Sequence, residues 1–188
     1  MISRHILASL RMLLVLSVLL GLAYPLAVTG MAQLTVSHQA NGSLVEAGGR
    51  VVGSRLIGQR FEGSEWFHSR PDPFDAMASG PTNLGPSNPE LASEVGHRVQ
   101  ELEQTEDLAP TAPIPADAVT ESGSGLDPDI SVAYARLQAR RVALARGLPV
   151  DRVLALIDRI AQRRILGILG EPRVNVLQLN LALVRLAP

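Results

Sequence analysis

The chain has 188 residues, enough for one domain plus an appendage, and its 46% apolar content and mean hydropathy of +0.18 are high for a purely soluble protein. Arg4 and Arg11 are the only charged residues before Glu46, so 15 of the 17 arginines and all 18 acidic residues fall in the remainder, a weakly acidic body that argues against a nucleic-acid partner. With no cysteine there is no disulfide, thiol catalysis or Cys-based metal site.

The apolar excess sits at the start. Met12 to Thr29 carries no charge and no amide side chain, and extended to Ile6 or Met31 the run spans the roughly 30 Å hydrocarbon core of a bilayer at about 1.5 Å per residue. Tyr24 and Pro25 suit an interfacial position and a tolerated kink. Arg4 and Arg11 on the N-terminal flank predict a cytoplasmic N-terminus and an external remainder: residues 1–31 as N-terminus and transmembrane helix, residues 32–188 as a periplasmic domain. The rival reading is a cleavable signal peptide, with "GMA" at 30–32 as a small-x-small site that would release a soluble domain.

After the apolar run, "GSLVEAGG" and "GRVVGSRLIGQRF" are expected to form strands joined by a tight Gly48-Gly49 turn. A first helix is predicted after Asn88 as cap, with Pro89 at its first position, Glu90 just inside, and Leu91, Val95 and Val99 along one face. The preceding "SGPTNLGPSNPEL" (79–91) reads as a rigid corner, pre-shaped by Pro81, Pro86 and Pro89. Thr105–Thr120, with three prolines, is expected as an extended surface loop.

A second helix is predicted from about Ser131 to Arg146, with Val132, Leu137 and Leu144 among alanines and Gly147 as C-cap. A third begins near Asp151, with Val153, Leu156, Ile157 and Ile160 on one face and Arg159, Arg163 and Arg164 toward its end. In "RVNVLQLNLALV" the alternation places Leu177, Leu179, Leu181 and Leu183 on one face and predicts a strand. The fold class is therefore α/β in the mixed α+β sense, preceded by a single N-terminal transmembrane helix.

The stretches with catalytic residue types have bland readings beside them. "ESGSGLDPDIS" supplies Ser122, Ser124, Asp127 and Asp129, and His68 would complete the residue types of a hydrolase triad using Ser124, but no G-x-S-x-G pattern is present. The competing readings are a structured turn with Asp127 or Ser131 as cap, and a docking surface. No P-loop motif occurs and there is no lysine. Pro81 and Pro86 remove backbone donors from any phosphate nest in "SGPTNLG". His38, His68 and His97 lack metal-ligand spacing and read as surface or hydrogen-bonded histidines. Arg136, Arg140 and Arg141 read as a solvated face or a partner-facing patch, and Trp66 and Phe67 as core residues or interface anchors.

Six stretches in order, "VGSRLIGQRF" (52–61), "EWFHSRP" (65–71), "TNLGPSNPEL" (82–91), "VTESGSGLDPDIS" (119–131), "RVALARGL" (141–148) and "VNVLQLNLAL" (174–183), resemble the C subunits of the Kdp potassium-transporting P-type ATPases, the KdpC family. The resemblance implies an accessory subunit of a bacterial inner-membrane complex that imports K⁺ at the expense of ATP. Its implied partners are a channel-like A subunit, a P-type B subunit that binds ATP, and a small F subunit. The family is described as a catalytic chaperone that raises the B subunit's ATP affinity, with no cofactor or catalytic activity of its own implied. If the domain is external it cannot touch cytoplasmic nucleotide, so such an effect is indirect. Pro81 and Thr82 stand where the family's glycine-serine signature commonly has another glycine and serine. The residues expected to dock on partners are Trp66, Phe67, Asn83, Gly85, Ser124 and Asp127.

Overall fold

The computed structural model describes residues 2–186 and divides the chain into two compact units, Met1–Leu44 and Val45–Pro188. The first unit is dominated by α1 (Ile2–Val18) and α2 (Tyr24–Thr35), joined by a π-helical turn at Leu19–Ala23. Pro25 explains the turn: it has no N–H for the carbonyl four residues back and its ring crowds that carbonyl, so the chain widens locally and Tyr24 N–H donates to Leu19 O. The resulting Ser3–Thr35 helix is long and apolar enough to cross a membrane by length and composition. Leu13, Leu20 and Leu26 are 62%, 59% and 69% exposed, so this apolar surface has no cover within its own unit. The short α3 (Ser37–Ala40) follows.

The second unit is mixed α+β, with two separate two-stranded sheets. Strands β1 (Leu44–Ala47) and β2 (Arg50–Ser54) form the expected hairpin, with Gly48 and Gly49 at φ of 59° and 75°. Strand character ends at Ser54, so the Arg55–Phe61 half of the second predicted strand is irregular instead. The other sheet pairs β3 (Asp129–Ser131) with β4 (Arg173–Asn175) antiparallel, with Ile130 opposite Val174.

Four helices accompany these strands: α4 (Pro89–Thr105), α5 (Val132–Arg146), α6 (Val150–Ile160) and α7 (Val176–Val184). The predicted caps form. Asn88 Oδ1 accepts from Glu90 N–H, Ser131 Oγ accepts from Tyr134 N–H, and Gly147 ends α5 at φ 65°, a left-handed conformation that costs a residue with a Cβ more than glycine. Helix α6 stops at Ile160, which leaves Arg163 and Arg164 beyond it in an exposed turn.

Three expectations are corrected. The predicted C-terminal strand is three residues of β4 followed by α7: Val176, Leu179, Asn180 and Leu183 are buried at the i, i+3, i+4, i+7 spacing of a helix. Asn175 Oδ1 accepts from Gln178 N–H and so starts that helix, a cap hidden within an alternating run. In α5 the buried face combines Ala135, Ala139 and Ala143, at 0–1% exposure, with Tyr134, Gln138 and Val142; Val132 and Leu137 pack at its edge, while Leu144 is 70% exposed. Alanines let α5 and α6 approach closely, and Val153, Leu156 and Ile157 of α6 fill the space. The segment after Thr105 up to Thr120 is irregular apart from a 3-10 turn at Ala116–Ala118, and it is partly interior: Glu106, Ala118 and Val119 are buried, and Leu108 and Ile114 pack on the core.

Candidate functional site

The segment from Trp66 to Asp72 runs across the core with little regular structure, so its backbone groups must be paired by side chains. Asn180 of α7 accepts from Phe67 N–H at 2.9 Å and donates to Phe67 O at 2.9 Å. Gln138 of α5 does the same for His68, accepting from its N–H at 2.7 Å and donating to its carbonyl at 3.0 Å. Two buried amides thus fix two consecutive residues. Phe67 is 0% exposed and belongs to the core, which removes it from the residues able to face a partner.

Trp66 is half-buried. Its ring lies 4.3 Å from the Arg146 guanidinium and 6.1 Å from the Phe61 ring, and Arg146 is held there by donating from Nε to Glu65 O.

Farther along, Asp72 is buried and accepts from Ser122 N–H at 2.7 Å, Ser122 Oγ–H at 2.6 Å and Asp127 N–H at 3.1 Å. This carboxylate folds the "SGSGLDP" loop around itself. Gly58 lies so close to that loop that a Cβ would meet Asp127 O at 2.4 Å, and its N–H donates to Leu126 O. Ser79 Oγ–H and Gly80 N–H both donate to Ser124 O, at 2.9 Å each. The structure therefore brings "SGPTNLG" and "SGSGLDP" side by side. Ser124, Asn83 and Gly85 are exposed there, with Asn83 at φ 58° and its amide donating to Pro81 O. Asp127 is half-buried, accepts from Asp129 N–H, and faces Arg70 at 3.5 Å.

A Ser-His-Asp arrangement does not form from the predicted residues. Ser122 Oγ is committed to Asp72, Ser124 Oγ accepts from Leu126 N–H, and His68 Nε2 pairs with Gly63 O at 2.9 Å. Among the described residues no three His, Cys, Asp or Glu side chains converge as a metal site would require.

Sequence reasoning missed the most buried ion pair. Arg141 Nε donates to Glu106 Oε1 at 2.8 Å, with side chains 8% and 2% exposed. Arg141 also donates to Ser64 O, Trp66 O and Gln138 Oε1, so it ties the end of α4 to α5 and to the aromatic segment. Of the three arginines read as one surface, only Arg136 and Arg140 are solvated, in exposed pairs with Asp158 and Asp107. Glu106 begins the Pro-rich segment taken for surface, and nothing in its neighbours marks it as interior.

Burial pushes the Glu106 carboxyl above its ordinary range, opposed by its hydrogen bond to and attraction from Arg141. Both residues border cavities, and one of about 180 Å³ is lined by His68, Arg98, Glu101, Glu106 and Tyr134. His68 is shifted down, first by burial and then by Arg141, against the raising effects of Gly63 O and Glu65. A histidine with a lowered folded pKa is neutral in both states above its unfolded value and resists charging only in the fold, so stability falls as pH drops below about 6.5. We expect His68→Gln to flatten the decline in Tm between pH 7.5 and 5.5 in the full chain, and an unchanged slope would assign that decline elsewhere.

An apolar N-terminal helix of spanning length followed by a mixed α+β unit, with polar side chains spent on shaping loops, defines a protein with a candidate membrane anchor and a loop-presenting domain. The chain belongs to the KdpC family, described as the c chain of K⁺-transporting ATPases, whose sequence profile matches residues 6–185. It is 51% identical over 187 residues to the potassium-transporting ATPase KdpC subunit of Mycobacterium tuberculosis (strain ATCC 25618 / H37Rv), covering 97% of this chain and 99% of that one. It is likewise 51% identical over 184 residues to the KdpC subunit of Beijerinckia indica, covering 96% and 93%, and 52% identical over 174 residues to that of Paraburkholderia phytofirmans, covering 90% of each.

Proposed function

We propose that this chain is an accessory subunit of an ATP-driven potassium import complex, anchored by its N-terminal helix and docking through its second unit on the other subunits. The observation that carries this reading is the near-full-length similarity to chains named potassium-transporting ATPase KdpC subunits. The A, B and F subunits are the partners, and ATP is bound by the B subunit. The N-terminus is cytoplasmic and the α+β unit periplasmic, as Arg4 and Arg11 on the N-terminal flank of the helix favour. Any rise in the B subunit's ATP affinity is then a coupling between sites transmitted through subunit contacts.

The paired loops are the docking element. They are fixed to each other through Ser124 O and to the core through Asp72, yet residues 81–83 and 85–87 face solvent. A preformed loop loses little freedom on binding, which is what a docking surface needs.

Two experiments test this reading. Because the chain has no cysteine, Met77→Cys, at a position 95% exposed, should react with an impermeant thiol reagent in intact cells. Reaction only after lysis overturns the external placement, and release of a shortened soluble protein supports a signal peptide instead. Asn83→Gly removes the amide without straining a backbone already at positive φ, whereas Asn88→Ala removes a cap worth about 1 kcal/mol. Asn83→Gly should keep Tm while lowering retention of the subunit and K⁺-stimulated ATPase activity in the purified complex; Asn88→Ala should lower Tm first. Full retention and activity in Asn83→Gly would leave these loops as structural corners only.

A further inference from the structure

Beyond α6 the chain forms a small hairpin, "RILGILG", that neither the core nor the proposed docking loops use. Ile165, Leu166, Ile168 and Leu169 are 64%, 85%, 76% and 57% exposed, four large apolar side chains within five residues. Exposed apolar residues scattered singly need no explanation, but a contiguous group does.

The group is held in a defined shape. Ile165 N–H donates to Leu169 O and Leu169 N–H to Ile165 O, Gly167 N–H donates to Arg164 O, and Ile168 N–H to Ile165 O. Leu166 takes φ 53° and Gly167 φ 77° to close the turn. A leucine in the left-handed region is strained, and here its side chain points to solvent instead of gaining core contacts.

The chemistry of an occupant follows from two features. First, the N–H groups of Ile165, Gly167, Ile168 and Leu169 are satisfied inside the tip, and Leu166 N–H at the apex is left for water or headgroup oxygens, which suits a shallow seat at the interface and not burial in the hydrocarbon. Second, the flank is cationic. Arg159 and Arg163 are exposed and make no ion pair among the described residues, Arg164 pairs with Glu171, and Arg173 pairs with Asp129. Apolar side chains at a tip with free arginines behind them match the acyl boundary and the anionic headgroups of a bilayer, the arginines staying at headgroup level on long stems.

We infer that the Ile165–Leu169 hairpin is a second, shallow membrane contact: its four apolar side chains seat in an anionic bilayer surface with Arg159 and Arg163 at the headgroups. The inference rests on the proposed anchoring of the N-terminal helix. With that helix in a bilayer, the roughly ten residues from Thr35 to Val45, at no more than about 3.5 Å each, keep the domain within reach of the same surface. Seating the tip would limit how freely the domain swings about that tether, whichever side of the membrane it occupies.

The test uses the full chain in nanodiscs of phosphatidylcholine with about 30% phosphatidylglycerol, which supplies the anionic headgroups. Single cysteines at Leu166, Met77 and Leu13 carry a spin label, and its collision rates with oxygen and with a water-soluble nickel chelate report depth. The Leu166→Cys label is expected to be oxygen-rich and shielded from nickel, and the Met77→Cys label to be fully nickel-accessible. Replacing Arg159 and Arg163 by Gln should lower the ratio of lipid-facing to solvent-facing label by about fivefold per arginine. A Leu166 label as nickel-accessible as the Met77 label, or one shielded only when partner subunits are present, overturns the membrane contact while leaving the accessory-subunit reading intact. A nickel-accessible Leu13 label instead overturns the anchor itself, and the tip contact with it.

Discussion

Arg141→Met is expected to destabilise the α+β unit by about 3–5 kcal/mol, the usual loss when one partner of a buried ion pair is removed. Glu106, at 2% side-chain exposure, would lose the guanidinium that accompanies it and have either to carry an unpaired charge or to take up a proton, and Ser64 O, Trp66 O and Gln138 Oε1 would each lose a charged donor. Glu106→Gln should cost less, because Arg141 keeps those three acceptors. The double variant Arg141→Met/Glu106→Gln should recover part of the loss, since no uncompensated charge remains inside.

The pH dependence has a definite sign. Burial already raises the Glu106 carboxyl, and a carboxyl with a raised folded pKa favours the fold when protonated, so the penalty appears as pH rises through that folded value. The deficit of Arg141→Met relative to the parent chain, read from chemical denaturation of the full chain in detergent, should therefore shrink from pH 7.5 toward pH 5. A deficit that is constant across that range would show that lost packing and carbonyl contacts, not the buried charge, account for it.

Phe67→Ala should cost about 3–5 kcal/mol, the loss typical of a fully buried aromatic truncated in a packed core. The neighbouring Trp66→Ala should cost much less: the ring is half-buried, and its stacking with Arg146 at 4.3 Å is worth about 0.5–1 kcal/mol at an exposed site. Thermal unfolding of the two variants separates them. If Trp66 also anchors a partner, its substitution lowers retention of the subunit in the purified complex out of proportion to the change in Tm. Equal losses of Tm from both variants would place Trp66 with the core and remove it from the docking residues.

Local patterns were sufficient where one residue type has one job. Asn88 before Pro89, Ser131 before α5 and Gly147 after it are caps whose chemistry acts within four residues, and the Gly48-Gly49 turn is equally local. The long apolar helix is legible for the same reason, since the property that matters is continuous along the chain. The six ordered stretches that resemble the KdpC family were legible too, and the family profile matches over residues 6–185.

What the sequence did not disclose depends on partners distant along the chain. The alternating leucines of residues 177–183 satisfy a strand and a helix equally well, and only packing of Val176, Leu179, Asn180 and Leu183 against the core selects the helix. Asp72 looks like any loop carboxylate until Ser122 and Asp127, fifty or more residues away, donate to it. Glu106 and Arg141, 35 positions apart, are ordinary surface types until the fold brings them together, as it does Asn180 and Phe67, 113 positions apart. A polar residue becomes interior only when the fold supplies its hydrogen bonds, and spacing in the sequence carries no record of that supply. The chain by itself thus determined the long apolar helix, the caps and the family; the three-dimensional fold decided which polar groups are buried, and so which loops are held rigidly enough to present Asn83, Gly85 and Ser124 to solvent.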